Sequence, residues 1–349
     1  MPDNKDVPRI RQTKPWVLNI VPVPYPGLSD APEAYRLAWQ AFVDANLKVT
    51  PDADREHWLE QAARLEAGIR LLGDDVIVRI YERTPIRLDG TPVDKDKLQG
   101  LPHYGIVLDA PPTDYLDCPG NANQYAMSDT VRSLMRRRTI LTRVDSTELE
   151  QAVRELDKDN PRGVTLKYVR REKTLPVTGL DHGQPFDAAA WLDWEEVRFE
   201  GDPYGVLVQD TVRMEYEYRM FVIDHTPVCG AACIESHTPA DNTGDPFDDR
   251  MQQHRNRTPV KHEPELAARL VGFARRAANL IRHEGFVTPT YVMDVAFIDG
   301  QPGIIELNNI SNAGLYALDM DTLLTAVREH PEQFTPETLQ GRLACETTD

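Results

Sequence analysis

The chain has 349 residues, 41% hydrophobic and 27% charged, with a formal net charge of −17. That is enough chain for one large or two to three small domains with a real core. The acidity argues against a general nucleic-acid or anionic-membrane surface, and no apolar run approaches the length of a membrane span.

The start, MPDNKDVPRIRQTK, carries no signal-peptide pattern, so a cytoplasmic setting is expected. Residues 1 to 15 are polar and charged and predict a loose arm. Trp16 to Val23 (WVLNIVPV) reads as a strand that runs into prolines 22, 24 and 26. Ala31 to Asn46 and Asp54 to Leu72 read as helices. In the second, Trp58, Ala62, Leu65, Ile69 and Leu72 recur at spacings of three and four. Asp75 to Tyr81 and Tyr104 to Leu108 are strand candidates. These segments predict a small N-terminal α/β domain over residues 1–120, with Asp109 to Ala122 as a Pro- and Gly-containing linker. The four cysteines are Cys118, Cys229, Cys233 and Cys345. Cys229 and Cys233 lack a second pair or a nearby histidine at ligand spacing, so they read as small buried hydrophobes.

Ser128 to Arg137 predicts a helix with Ser128 as N-cap. The basic run Arg136, Arg137 and Arg138 is expected as a solvated helix end; a polyanion across a cleft is the other reading. Ser146 to Leu156 predicts a second helix, opened by Ser146 with Glu148 and Glu150 in its first turn. In the strand Val164 to Val169, Lys167 interrupts an apolar run and must snorkel or meet an anion. Arg170 to Pro185 is basic and contains two glycines, which predicts a mobile hairpin loop. Trp191 to Glu200 is acidic and offers no chemistry. Val206 to Val212 is an apolar strand that runs into a short polar segment. Glu215 to Asp224 alternates, with Glu215, Glu217 and Arg219 on one face, continued by Phe221 and Ile223. Pro227 to Ile234 reads as its hairpin partner. Glu235 to Glu263 is a polar insertion containing His237, His254 and His262, too polar for core. Pro264 to Glu284 predicts a strong helix with Leu266, Leu270, Phe273, Ala277 and Leu280 on one face and Gly285 as its cap. Asp319 to His330 predicts a last helix, followed by a polar tail over 331–349.

The most informative stretch is Tyr291 to Tyr316, YVMDVAFIDGQPGIIELNNISNAGLY. It reads as two strands joined at Asp299-Gly300, a strong hairpin signal. The hairpin sets Asp294 beside Glu306, and a side-chain period of two puts Glu306 and Asn308 on one face. Two carboxylates and an amide oxygen suit a hard divalent cation such as Mg²⁺; an ordinary polar strand end is the plainer reading. The polar loop Asn308 to Gly314 follows.

Asp294, then Glu306-Leu307-Asn308, then a polar loop with Gly314 resembles the metal-binding signature of the ATP-grasp superfamily. Lys167 before a basic loop, the Val206–Val212 segment, and the Glu217-x-Arg219 strand resemble further parts of that family in the same order. The Glu-x-Arg strand is similar to a bacterial and phage branch with largely unassigned substrates. The resemblance implies an α/β (α+β) ATP-grasp fold over residues 121–330, with two α+β subdomains clasping ATP. A small pre-grasp domain would precede it. It also implies ATP and one or two Mg²⁺ ions, or Mn²⁺, as cofactors. The metal would sit at Asp294, Glu306 and Asn308. Lys167, and more weakly Lys173, would meet the phosphates. Gln209, Asp210 and Val212 would form the adenine hinge, and Glu217 would take the ribose. Arg219 would neutralise phosphate or an acyl phosphate, against the plainer reading of an Arg219–Glu217 surface pair. Relatives carry Arg two residues before the metal Asp, where this chain has Val292.

The activity implied is an ATP-dependent carboxylate–amine ligase working through an acyl phosphate. Its partners would be small-molecule or peptide acids and amines, with no nucleic acid and no membrane, on a monomer or homodimer. The alternatives are a kinase or nucleotide-transfer enzyme on the same fold, or a nucleotide-binding regulator without turnover.

Overall fold

The computed structural model describes residues 15–20, 63, 67, 70–71, 76–80, 84–87, 89, 91–106, 124–169, 177–194, 205–253, 258–284, 288–310, 313–335 and 338. The predicted arm, the 31–46 helix, the 109–122 linker, Lys173, His254, Gly285, Cys118 and Cys345 lie outside them.

The N-terminal sheet joins β1 (Trp16–Ile20), β2 (Val76–Ile80), β3 (Ile86–Arg87) and β4 (His103–Ile106) in the order β3-β2-β1-β4. β1 runs parallel to both β2 and β4. Parallel neighbours need a crossover, and residues 63, 67, 70 and 71 between β1 and β2 are helical. From them Ala67 and Leu71 are buried in one cluster with Trp16. Trp16 also meets the Phe334 ring at 5.8 Å, and Phe334 is only 2% exposed. The segment after residue 330 was expected to be a polar tail; its first turn, Pro331–Phe334, instead supplies core.

The second sheet is antiparallel. It contains β5 (Thr139–Thr142), β6 (Val164–Tyr168), β7 (Thr178–Leu180) and β8 (Val206–Asp210) in the order β5-β8-β6-β7, with α1 (Asp129–Leu134), α2 (Ser146–Asp157) and α3 (Ala188–Trp194) in the connections. Alternation divides its two faces. Val164, Leu166, Val206 and Val208 pack with Leu149, Val153 and Leu156 of α2. The register pairs Thr165 with Gln209 and Lys167 with Leu207, which puts those four side chains on the opposite face. Ser128 caps α1 through Val131 N, as its position predicts. The cap of α2 is Asp145, one residue earlier than expected; its carboxylate accepts from Glu148 N at 2.9 Å, and Asp ranks with Ser as a capping residue.

The third sheet holds β9 (Met214–Ile223), β10 (Thr226–Ala232), β13 (Tyr291–Ile298) and β14 (Gln301–Asn308) in the order β10-β9-β13-β14. A two-stranded ribbon, β11 (Arg250–Met251) and β12 (Lys261–His262), lies in the insertion. The β13–β14 turn has positive φ at both Asp299 (50°) and Gly300 (75°), which the Asp-Gly pair accommodates. Tyr218, Met220, Val222, Met293 and Val295 pack with Leu270, Phe273, Ala274, Ala277 and Ile281 of α4 (Pro264–Ile281). Leu280, expected on that buried stripe, is 56% exposed, and Ile281 takes its place. On the other face Phe221, Ile223 and Val292 pack with Leu323, Leu324 and Val327 of α5 (Met320–Glu329).

The insertion is not wholly outside the core. Met251 is 1% exposed in the α4 cluster, and Phe247 packs on that cluster. Tyr218 Oη donates to the carbonyls of Gly230 and Asp248, each at 2.9 Å. The buried Asp248 carboxylate in turn holds the Arg250 guanidinium. Polar side chains enter here because each finds a partner.

Candidate nucleotide and metal site

Three strands of the third sheet put charged residues at one level. Asp294 on β13 lies opposite Arg219 on β9 and opposite Glu306 on β14. This row sits in the middle of strands that are otherwise apolar. β14 bulges there: Asp294 pairs with Glu306 and Val295 with Ile304, so Ile305 is the extra residue. A bulge re-aims side chains and releases backbone groups from the ladder.

The side chains of the row are bonded to one another. Arg219 Nε donates to Asp294 Oδ1 and Arg219 Nη2 to Asp294 Oδ2, both at 2.8 Å. Asn308 Nδ2 donates to Asp294 Oδ2 at 2.9 Å and to Glu306 Oε1 at 3.2 Å. From the second sheet, Lys167 Nζ reaches Glu306 Oε2 at 3.2 Å. The buried lysine therefore meets an anion, and that anion belongs to the other sheet. Asp294 is 1% exposed at its side chain, against 24% for Glu306. Burial alone would lower the Arg219 guanidinium, but the charge and hydrogen bonds of Asp294 hold it well above its ordinary value.

Arg219 is thus committed to Asp294 rather than to a surface pair with Glu217. Glu217 lies two residues earlier on the same face of β9, and its carbonyl accepts from Cys233 N at 3.0 Å. Cys229 and Cys233 are both buried and form no disulfide.

The basic run 136–138 departs from expectation. It is not a solvated helix end; all three guanidinium groups find acceptors. Arg136 Nε donates to the Pro302 carbonyl at 2.9 Å, and Arg137 Nη2 to the bulged Ile305 carbonyl at 2.8 Å. Arg138 grips Asp210 with two nitrogens, at 2.8 and 2.9 Å, and donates to the Leu156 carbonyl at 2.7 Å. Arg137 is the member that the sequence reading passed over. Its Nε is buried with no hydrogen-bond partner. Burial lowers its guanidinium, while Tyr125, Glu306 and Asp210 pull the other way. Tyr125, 3% exposed, comes from the turn before α1, and burial together with the Glu306 charge pushes its phenol well up. A basic triplet one turn past a capped helix was the available signal for Arg137; nothing in the sequence pointed to Tyr125.

The hinge candidates divide. Gln209 is 1% exposed on the Lys167 face, and its Oε1 is buried without a hydrogen-bond partner. Val212 packs on Ala296, Ile298 and Ile305, an apolar patch on the third sheet beside Asp294. The Asp210 carboxylate is occupied by Arg138 and by Asn160 Nδ2 at 3.3 Å, so that side chain braces the hinge. Thr165 Oγ1 and Thr211 Oγ1 join at 2.8 Å on the same stretch. His237 is half-buried, and its Nδ1 has no partner.

The donor set was tested against Mg²⁺. Among the described residues no cluster of three His, Cys, Asp or Glu side chains could hold a metal. Here the third oxygen is an amide. Both carboxylates lie within 3.2 Å of the Asn308 nitrogen, so the three groups converge, and an all-oxygen set fits the ion. Asp294 and Glu306 already face Arg219, Lys167 and Arg137. Three cations against two carboxylates leave no surplus negative charge for a bare dication. The site fits Mg²⁺ that arrives with an anion such as a polyphosphate.

The fold and this constellation define an ATP-grasp domain. The sequence signature of an ATP-grasp domain, family 2 of its clade, matches residues 144–326, more than half of the chain. The chain belongs to that family. No curated protein matches it. Among solved structures it is similar to an ATP-grasp RimK domain protein from Sphaerobacter thermophilus, at 11% identity over 92% of this chain and 100% of that one, with a TM-score of 0.47. It is similar to the D-alanine–D-alanine ligase of Bacillus anthracis complexed with ATP, at 11% identity over 92% and 99% of the two chains, with a TM-score of 0.42. It is also similar to the ATP-grasp ligase PsnB complexed with minimal precursor, at 16% identity and a TM-score of 0.36; the match covers 60% of this chain and 60% of that one.

Proposed function

We propose that the chain is an ATP-dependent ligase that joins a carboxylic acid to an amine through an acyl phosphate. The observation that carries this reading is the Lys167–Glu306 contact, which brings the cation-bearing face of the second sheet against the carboxylate row of the third. Family membership supports ATP as the nucleotide.

Asp294, Glu306 and Asn308 would hold Mg²⁺ with the nucleotide. When bound, the ion bridges phosphate oxygens and offsets their charge. Lys167 and Arg137 face the same space and supply positive charge against the phosphates. Lys167 is the cation to exchange Glu306 for a phosphate oxygen, because its stem reaches from the facing sheet. Gln209 and Val212 supply a buried amide and an apolar patch for the base.

In the reaction, a substrate carboxylate oxygen attacks the γ-phosphorus. The bond to the bridging oxygen breaks, and its electron pair leaves with ADP. The amine nitrogen then attacks the acyl carbon, the carbon–oxygen bond to phosphate breaks, and a proton leaves the nitrogen. Positioning and fixed charge carry both steps, so no protein nucleophile is required.

Incubation with ATP, Mg²⁺ and a panel of acids, with and without amines, tests the reading. ADP and inorganic phosphate released only when acid and amine are both present supports the ligase. ADP with a stable phosphorylated product and no need for an amine would establish a kinase instead, and tight nucleotide binding without turnover a regulator.

A further inference from the structure

Arg219 also contacts the loop after β14. Its Nη1 donates to the Gly314 carbonyl at 3.2 Å, and its guanidinium carbon lies 5.1 Å from the centroid of the Tyr316 ring. Tyr316 has φ 49°, in the left-handed region where a bulky residue is uncommon. Such conformations persist where surrounding contacts fix them. The contacts are in view: Leu315 and Leu318 on either side are buried in the α5 cluster, and the next carbonyl, of Ala317, accepts from Asn242 Nδ2 of the insertion at 2.7 Å. The loop therefore holds the Tyr316 ring over a guanidinium whose other edge grips Asp294 with two hydrogen bonds.

We infer that Arg219 and Tyr316 are positioning residues that tie the 313–317 loop to the metal-side carboxylate Asp294, so that the order of this loop and the binding of Mg²⁺–nucleotide are coupled. This deepens the ligase reading and rests on it. It also revises the role expected of Arg219. With Nε and Nη2 on Asp294 and Nη1 on Gly314, the guanidinium serves Asp294 and the loop and acts on phosphate only through them. The geometric logic is that a carboxylate needs a fixed orientation to be a metal ligand, and a two-bond arginine fixes it. The arginine is in turn fixed by the ring and the carbonyl. By linkage, a ligand that orders the loop raises affinity for Mg²⁺–nucleotide, and the reverse holds to the same degree. The loop follows directly from the Asn308 strand end, so the ligand that would order it is the substrate acid or amine.

The test measures ATP binding by calorimetry, with Mg²⁺ and with EDTA, for the wild-type chain, Tyr316→Leu and Tyr316→Phe, alongside thermal unfolding of each. A ring over a desolvated guanidinium is worth enough that Tyr316→Leu should weaken Mg²⁺-dependent ATP binding by about three- to tenfold. Binding in EDTA should stay unchanged, and Tyr316→Phe, which keeps the ring, should behave as wild type. Wild-type Mg²⁺ dependence in Tyr316→Leu, or an equal loss in EDTA, would overturn the coupling while leaving the proposed function in place. A wild-type chain that binds no ATP with Mg²⁺ would overturn both.

Discussion

The buried pair Arg219–Asp294 can be probed by a double-mutant cycle. Its two hydrogen bonds are both 2.8 Å, and its side chains are 11% and 1% exposed. Arg219→Met leaves a carboxylate with almost no access to water. Asp294→Leu leaves a guanidinium in the same position. Each single change should therefore cost about 3–5 kcal/mol, the usual penalty for stranding one half of a buried pair. Replacing both removes both charges, so the double variant should cost less than the sum by about 2 kcal/mol or more. Urea unfolding followed by the fluorescence of the five tryptophans reads this directly; the slope with denaturant should be unchanged, so that shifts in midpoint report stability. Costs that add to within about 0.5 kcal/mol would refute the reasoning. They would mean that Arg219 and Asp294 are not coupled in solution, and the cross-strand row would lose its middle member.

Gln209 holds an acceptor, Oε1, that is buried without a partner, a strain of about 1–3 kcal/mol. Gln209→Leu should stabilise the fold by roughly 1 kcal/mol yet weaken ATP binding; a less stable variant with unchanged affinity would contradict a role at the base. His225 predicts a pH effect. Burial, with Arg282 and His283, lowers it from 6.5 to about 4, while Asp224 opposes the shift. The unfolded chain takes up that proton first, so this stability is full above about pH 6.5 and is lost as pH falls towards about 4. Discounted for partial exposure, the loss is about 1–2 kcal/mol. His225 sits at φ 54°, which Asn tolerates, so His225→Asn should flatten the melting-temperature profile across that window. A profile identical to wild type would contradict it.

Much of the fold is legible in local pattern. The Asp-Gly turn sets the register that faces Asp294 with Glu306, and a period of two adds Asn308. Lys167 in an apolar strand announces a buried cation that needs an anion. The α4 stripe and the Ser128 cap follow from spacing and residue type. What stayed illegible depends on contacts between distant segments. Arg136 and Arg137 bond backbone carbonyls about 170 positions away in sequence, and a carbonyl leaves no mark on composition. The bulge that exposes the Ile305 carbonyl is a register shift within a continuous apolar run. Arg219 read as an exposed neighbour of Glu217, because strand alternation does not say which adjacent strand a long side chain will cross to. The insertion read as polar surface, because Asp248 and Arg250 satisfy each other inside it. Phe334 was hidden in a tail whose other residues are polar, and only its packing on Trp16 distinguishes it.

The measurement that bears most directly on the site is ATP binding by Glu306→Gln in the presence of Mg²⁺. Glu306 is the carboxylate shared between Lys167 and Asn308, and Gln keeps its size while removing its charge. The account predicts that wild-type protein binds ATP tightly only with Mg²⁺, and that Glu306→Gln loses the Mg²⁺-dependent part while its unfolding temperature stays near that of wild type. Equal Mg²⁺-dependent affinity in the two proteins would contradict it.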